Sequence, residues 1–575
     1  MYKKIYNSWI NSEYIDCKTK EELKAIRDEK EIEDRFYKNL EFGTGGLRGI
    51  MGAGTNRINI YTIGLATQGL AKYVIKNYGK GASVTIGYDS RNMSKEFAER
   101  AAAVLCANKI KVNLFESLRP TPMLSYAVRY LNSKVGIVIT ASHNPKEYNG
   151  YKVYGEDGAQ FTDKGSEEIL SYINEINDFS AIKVLGLKEA KENGLLSIIG
   201  EEVDKSYIDS VKELTIRKEM VKNNASDLRV IYTPIHGSGN IPVRRVLSEL
   251  GYNNLSVVRE QELPDGDFPT VDYPNPEQAG VFKLALEMAK DINPDIIFGT
   301  DPDSDRIGVV VKDNMNEYRV LSGNQTGVLL SNYIISSLSE ENKLASNGVI
   351  IKTIVTSEMV REVASDFNVK VIDVLTGFKY IGEKIKEFEE SNSNTYLFGY
   401  EESYGCLAGT FVRDKDAVSA AELICEMALY YKLKGMTLYE ALISLYEKYG
   451  FYKEDVISIE LSGKEGQEKI QKAIDILRNS SILEVSGVKI RRIMDYKLSM
   501  EKDLIYKCEK KIELPKSNVL RFILEDKSWF VVRPSGTEPK MKIYVSVVGD
   551  SIEDADSKVN VFKKCVMKII NEAFK

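Results

Sequence analysis

The sequence predicts an α/β protein of three doubly wound α/β domains followed by a smaller α+β domain. Three observations carry that prediction. First, six short β-branched runs each end abruptly in a small polar loop and lead into a helix-like stretch. They are ASVTIGYDSR (82–91), KVGIVITASHNP (134–145), LRVIYTPIHGSG (228–239), DIIFGTDPDSDR (295–306), GVIIKTIVTS (348–357) and TYLFGYEES (395–403). Second, these runs are almost continuously apolar, as parallel strands covered on both faces must be. Third, 575 residues at roughly 100–200 residues per domain give about three to five domains.

The elements follow in order. The first two runs and the charged, helix-like segment 163–226 suggest a first domain over 1–210. A new strand at Leu228 and the DPDSDR loop place a second over 211–325. The connector ENKLASNG (341–348) precedes the strand of a third, over 326–452. MTLYEALISLYEKYGFYKED (436–455) reads as an amphipathic helix leaving that domain, and VISIELSGKEGQEKIQKAIDIL opens the α+β domain over 453–575. Sheets of this kind bind ligands beyond the carboxyl ends of their strands, where every chemically suggestive loop of this chain falls.

Composition narrows the function. Charged residues make up 28% and the net charge is −6, which suits a soluble enzyme and argues against reliance on counterion release from nucleic acid. A local basic pocket for an anionic substrate remains compatible with that balance. The N-terminal MYKKIYNSWINSEYID has no apolar signal core, and no apolar run reaches the roughly 18 residues of a membrane span, so the expected compartment is the cytosol. The 6 cysteines are scattered without a C-x-x-C, as in a chain of reduced thiols. Only 2 histidines, His143 and His236, are present, too few for most zinc chemistry. Most of the chemistry must rest on oxygen ligands, Lys and Arg.

Four loops carry it. Ser142, in Thr140-Ala141-Ser142-His143-Asn144-Pro145, is a strand-end hydroxyl and a nucleophile candidate. Ser, Asn and Pro also form turns, and on this loop alone the plain turn is the more common reading. His143 is adjacent in sequence, so its side chain need not reach that hydroxyl. Asp301, Asp303 and Asp305 alternate in DPDSDR and can converge on a hard cation, Mg²⁺ or Ca²⁺. It is no EF-hand, since Arg306 and Lys312 stand where Gly and Glu are needed. Three buried like charges are costly unless a cation offsets them. Glu401 and Ser403, in GYEESYG, suit sugar hydroxyls, and the neighbouring carboxylates could serve as acid and base, although a solvated turn fits at least as well. Arg533-Pro534-Ser535-Gly536-Thr537-Glu538-Pro539-Lys540 reads as an anion cradle or a charged turn. Nearer the start, GTGGLRG lacks dinucleotide-loop spacing and reads as a flexible loop presenting Arg48 to an anion.

In this order the loops resemble the α-D-phosphohexomutase family, whose pattern is T-[AS]-S-H-N-P, D-x-D-x-D-R, G-E-E-S and R-x-S-G-T-E-P. The resemblance runs end to end. FGYEESYG, VRDKDA (412–417) and RPSGTEPK look most like the longer bacterial phosphoglucomutases. It implies a heart-shaped molecule of four domains around a central cleft. It implies Ser142 as a phosphoserine, with Asp301, Asp303, Asp305 and an oxygen of the Ser142 phosphate around one Mg²⁺. Glu401 and Ser403 would hold sugar hydroxyls; Arg533, Ser535, Gly536, Thr537 and Lys540 would grip the phosphate that is not transferred. Lys152, in NGYK, falls where the family places an acid/base lysine. Arg48, His143, Arg306, Lys379 and Lys415 fall at further active-site positions. The implied activity interconverts α-D-glucose 1-phosphate and glucose 6-phosphate, with glucose 1,6-bisphosphate as intermediate and activator. Mannose and pentose phosphates, or bisphosphate synthesis, are alternatives within the family, and a metal-dependent sugar phosphatase is the alternative outside it. The expected partners are small sugar phosphates, with neither nucleic acid nor membrane, for a monomer or weak homodimer. Holding a bisphosphate through its reorientation calls for a hinge that swings residues 455–575 over the cleft.

Overall fold

Each of the six apolar runs is a strand: Ser83–Tyr88, Val135–Ile139, Val230–Thr233, Ile296–Thr300, Gly348–Thr353 and Thr395–Tyr400. The computed structural model describes residues 2–575 apart from 42, 44–45, 177, 462, 481 and 536–538. The first sheet runs in the order Gly46–Ile50, Tyr148–Gly155, Val135–Ile139, Ser83–Tyr88, Lys111–Phe115, Leu196–Ile199. Its last four strands are parallel and the first two antiparallel. The second sheet runs Tyr318–Val320, Ile307–Lys312, Ile296–Thr300, Val230–Thr233, Leu255–Val257; the third runs Lys370–Val374, Gly348–Thr353, Thr395–Tyr400, Cys406–Ala408.

The expectation of parallel sheets is therefore corrected to mixed ones, for a reason that bears on the site. Residues 140–147, 301–306 and 401–405 each join a strand to an antiparallel neighbour. Such connections are too short for the crossover of a dozen or more residues that a parallel return needs. Each of these three loops is thus the tip of a tight return, held on both sides by a ladder.

Two other readings are corrected. The helix expected over 436–455 is Leu438–Tyr449; Gly450, at a φ of 105°, ends it, and Phe451–Glu460 is a strand. The segment 163–226 contains a strand as well as helices, Leu196–Ile199, which closes an edge of the first sheet with two of its residues exposed. The helix Glu201–Lys212 runs through the expected boundary at 210.

The fourth sheet has 8 strands, led by Phe451–Glu460, Lys540–Gly549, Trp529–Pro534 and Leu520–Leu524. One face, with Phe522, Phe530, Val532, Ile543 and Val545, packs beneath helices Gly463–Asn479 and Ile552–Ala573. The opposite face sets Trp529, Val531 and Tyr544 against Ile354, Val355 and Leu375 of the third domain. The helix Ala417–Leu433, buried along almost its whole length, packs on the first two domains. Among the described residues no helix is long and apolar enough to cross a membrane.

Candidate active site

The serine loop hangs from a buried arginine. Arg91 donates to the carbonyls of Ser142 (2.6 Å), Asn144 (2.5 Å), Pro145 (2.8 Å) and Tyr148 (3.1 Å). Asp89 lies 3.4 Å from Arg91 and also accepts from the Thr140 hydroxyl at 2.6 Å. This clamp holds Ser142 in the left-handed region, at a φ of 52°, a conformation that costs on the order of 1–3 kcal/mol for a non-glycine residue. Ser142 is only 3% exposed, and its hydroxyl lies 2.8 Å from Asp301 Oδ2 and 3.1 Å from His143 Nδ1. A hydroxyl has one proton to give. When that proton goes to Asp301, His143 donates from Nδ1 to Ser142 Oγ.

The aspartate loop meets Ser142 from the second domain. Carboxylate oxygens of Asp301, Asp303 and Asp305 lie within 4.8 Å of one another, all three residues buried. Asp303 Oδ2 accepts from Thr121 Oγ1 at 2.9 Å and from Lys152 Nζ at 2.9 Å. Asp305 Oδ2 faces Lys152 of the first domain at 3.4 Å and Lys415 of the third at 3.3 Å. Burial together with Asp303 and Asp305 pushes the Asp301 carboxyl well above its ordinary range. Burial would raise Asp305 too, but Lys415, Lys152 and Arg306 outweigh it and hold its pKa low. Burial would lower Lys152, yet Asp303 and Asp305 keep its pKa above the usual lysine value. Asp303 Oδ1 and Asp305 Oδ1 are buried with no hydrogen-bond partner among the described residues. Oxygen donors left over at one buried point, with like charges pressing on Asp301, fit a hard divalent cation.

The loop Pro234–Gly239 braces this cluster from behind. Ser238 donates to the Pro302 carbonyl from both N–H and hydroxyl, each at 2.8 Å. A side chain at Gly237 would stand 2.6 Å from Pro302 Cα, which only glycine avoids. Next to His143 and Arg306 opens a cleft of about 770 Å³, lined also by Arg48, Arg533, Lys540 and Lys542. Its basic wall faces the serine and aspartate loops, so an anion entering it meets cations from three domains.

Sequence profiles for domains of known families match this chain four times, each described as phosphoglucomutase/phosphomannomutase. The alpha/beta/alpha domains I, II and III match residues 39–179, 205–314 and 322–449, and the C-terminal domain matches 484–563. A phosphoglucomutase of Staphylococcus saprophyticus is 37% identical over 526 residues, covering 92% of this chain and 94% of that protein. One of Staphylococcus aureus is 38% identical over 532 residues, covering 92% and 93%. The chain belongs to the phosphoglucomutase/phosphomannomutase family. Membership makes it an isomerase that moves phosphoryl groups. The open form of the Paramecium phosphoprotein pp63/parafusin, a phosphoglucomutase, shares the fold with a TM-score of 0.66 at 18% identity, covering 94% of this chain and 95% of that one. A phosphoglucomutase/phosphomannomutase family protein of Burkholderia thailandensis shares it at 0.63 and 16% identity, covering 92% and 97%.

In this family member the structure gathers Ser142, His143, Lys152, Lys415 and the three aspartates at one point. Arg306 stands beside them, its guanidinium 2.7 Å from Glu277. One open point is settled and one reading changes. His143 does reach the Ser142 hydroxyl, because the left-handed turn at Ser142 folds the next side chain back; burial, Arg306 and Arg48 hold its imidazole well below the ordinary pKa. Arg48 lies on a strand, opposite Gly150, and not in a flexible loop. Its partner strand runs so close that a side chain at Gly46 would sit 1.9 Å from the Tyr151 carbonyl. Glu401 is buried and accepts from the Gly377 N–H at 2.9 Å, and Ser403 is half-buried in the same turn. Lys379 begins the helix Lys379–Ser391, its ammonium 4.9 Å from the Tyr380 ring centre. In the cradle, Ser535 N–H donates to the Lys540 carbonyl at 2.7 Å and Lys540 pairs with Glu460 at 2.5 Å. Gly536 and Thr537 lie outside the described residues. Sequence reasoning missed Arg91, Thr121, Glu277 and Lys542. Arg91 was within reach, standing at the end of the GYDSR run, but nothing in that run shows its side chain turning back to the serine loop.

Proposed function

We propose that this family member is a phosphoglucomutase, interconverting α-D-glucose 1-phosphate and glucose 6-phosphate through phospho-Ser142 and a glucose 1,6-bisphosphate intermediate. One observation carries the reading: Ser142 Oγ lies against a buried three-aspartate cluster, and the next residues of both loops, His143 and Arg306, line a cleft shared with Arg533, Lys540 and Lys542. Phosphoryl transfer needs in-line placement and stabilisation of spreading negative charge, and those two groups divide the task. Asp301, Asp303 and Asp305 would hold Mg²⁺, which when bound offsets the charge of the transferring group and polarises it. Lys415 and Arg306 flank the same point as fixed cations, and Lys152, an ammonium held by Asp303 and Asp305, can give a proton to Ser142 Oγ and take one back from the sugar hydroxyl.

In the first step a phosphorus–oxygen bond forms to the free sugar hydroxyl as the bond to Ser142 Oγ breaks. The proton lost by the sugar hydroxyl is the one Ser142 regains; we assign Lys152, joined to Asp303 and Asp305, to carry it. Glu401 and Ser403 orient the sugar hydroxyls. Arg533, Ser535 and Lys540, with Gly536 and Thr537, grip the other phosphate and must accept either end of the sugar after the bisphosphate turns over. The second step returns the other phosphoryl group to Ser142.

The test is a coupled assay with glucose 1-phosphate, Mg²⁺ and catalytic glucose 1,6-bisphosphate, beside mannose 1-phosphate and ribose 1-phosphate. Glucose 1-phosphate is expected to turn over fastest, with no net release of inorganic phosphate. Ser142→Ala is expected to lower turnover by about 10⁴-fold or more and to abolish the phosphorylated mass species. Normal turnover by Ser142→Ala would sink the proposal.

A further inference from the structure

The third and fourth domains meet through an ionic node in which Lys352 and Arg521 are buried and Glu358, Arg361 and Asp373 half-buried. Glu358 accepts from Lys352 at 2.7 Å, from Arg361 at 2.7 Å and from Arg521 of the fourth domain at 2.8 Å. Asp373 lies 3.0 Å from Lys352, 2.6 Å from Arg361 and 3.7 Å from Arg521. The four third-domain members are two cations and two anions, neutral among themselves. Arg521 adds a fifth charge from across the interface. Parting the domains therefore strands no carboxylate, which would be the costly outcome for a buried pair. Arg521 itself rests on the Trp529 ring, 5.2 Å from its centre. This is the construction of a separable joint.

The joint connects to both walls of the cleft. In the fourth sheet Arg521 pairs with Val531, Val531 with Tyr544, and Arg533 with Lys542. Cross-strand partners share a face, as do alternate residues. Arg521, Val531 and Arg533 consequently lie on one face, Arg533 about 7 Å along from Val531, and Arg533 reaches the Tyr544 hydroxyl at 3.5 Å. On the other side Lys352 donates to the carbonyls of Thr353 (3.3 Å) and Thr356 (3.2 Å). The Thr353 hydroxyl lies 2.6 Å from that of Thr356 and 3.1 Å from Glu402 of the sugar loop.

We infer that Arg521 is a positioning residue for the mutase reaction: through Glu358 and Lys352 it fixes the phosphate-gripping face of the fourth domain relative to the sugar loop of the third. The inference rests on the mutase reading above. A second pair, Lys527–Glu362, crosses the same interface at 2.9 Å with side chains 67% and 41% exposed; exposed pairs of this kind contribute little, and it serves as the control.

The experiment compares full-length wild type, Arg521→Met, Arg521→Lys and Lys527→Met with Mg²⁺ and glucose 1,6-bisphosphate present. Lost alignment of the two walls weakens binding of a substrate held at both ends. The KM for glucose 1-phosphate is expected to rise about tenfold in Arg521→Met, with a smaller change in kcat. Arg521→Lys, which keeps the charge but not the fork, is expected to fall between wild type and Arg521→Met, and Lys527→Met to stay within about twofold of wild type. An unchanged KM in folded Arg521→Met, or an equal rise in Lys527→Met, overturns the inference. Should Arg521→Met fail to fold, an unchanged KM in Arg521→Lys overturns it. The same ratios read from calorimetric binding of glucose 6-phosphate need no turnover. An inactive wild type would then refute the mutase reading and still leave Arg521 tested.

Discussion

Arg91 shows how one side chain can fix the placement of a reacting atom it does not touch. Three carbonyls of the serine loop and that of Tyr148, where the next strand begins, converge on its guanidinium, and a planar fork of donors can meet them where a point charge cannot. Arg91→Lys is accordingly expected to lower kcat by about 100-fold, the scale of a displacement near 1 Å in a reacting group, with KM changed far less. Steady-state kinetics with glucose 1-phosphate would check it. Arg91→Met, which leaves buried Asp89 without its cation, is expected to cost about 3–5 kcal/mol of stability in denaturant unfolding. At this scale the sequence was readable where a short loop concentrates the residue types a reaction demands. Ser142 and the three aspartates are of that kind. Arg91, Thr121 and Glu277 are not, because each acts on a loop distant in sequence, and only the packing of strand ends brings them together. His143 illustrates a related point: the left-handed backbone at Ser142 turns it onto the hydroxyl, and a non-glycine residue in that conformation has no signature in composition.

The strands were legible from their apolar runs, but their direction was not. A run such as GIVI reads the same in a parallel or an antiparallel ladder, and only the short returns over 140–147, 301–306 and 401–405 decide it. The strand Phe451–Glu460 was read in part as helix because its alternation begins directly after Gly450. That strand carries the chain into the fourth domain, and Glu454 on it is half-buried with Oε1 lacking any hydrogen-bond partner among the described residues. Burial pushes its pKa from 4.5 up to about 7, against a hydrogen bond from Ser357 and the nearby charges of Lys453 and Lys352. A carboxyl raised by folding stabilises the fold fully below its unfolded pKa and loses that contribution as pH climbs through the folded value. The window here is pH 4.5 to 7. Glu454→Gln is therefore expected to match wild type near pH 4.5 and to exceed it at pH 8 by on the order of 1–3 kcal/mol. Denaturant midpoints at the two pH values would check it, and equal differences at both would refute the assignment.

Over the whole molecule, the first three domains meet around one carboxylate, and the fourth stands apart in its attachment. Lysines from the first and third domains flank Asp305 of the second, and the helix Ala417–Leu433 of the third packs on the other two. These contacts make the three α/β domains a single base. The fourth joins the base through the strand Phe451–Glu460, the ionic node and the apolar patch of Trp529, Val531 and Tyr544 against Ile354, Val355 and Leu375. A bisphosphate that turns over without escaping needs the cradle to loosen and tighten while the serine and aspartate loops stay fixed, and the fourth domain, joined through one strand and a separable node, is the one placed to move. A compact chain of this length has a radius of gyration near 25 Å. Small-angle scattering in Mg²⁺ is expected to show that radius contracting when glucose 1,6-bisphosphate is added, as the fourth domain closes on a ligand held at both ends. The contraction should persist in Ser142→Ala, since closure requires the two phosphates and not the chemical step. Scattering curves that superimpose with and without the bisphosphate would show the cleft to be rigid, and turnover of the intermediate would then have to occur in the open cleft.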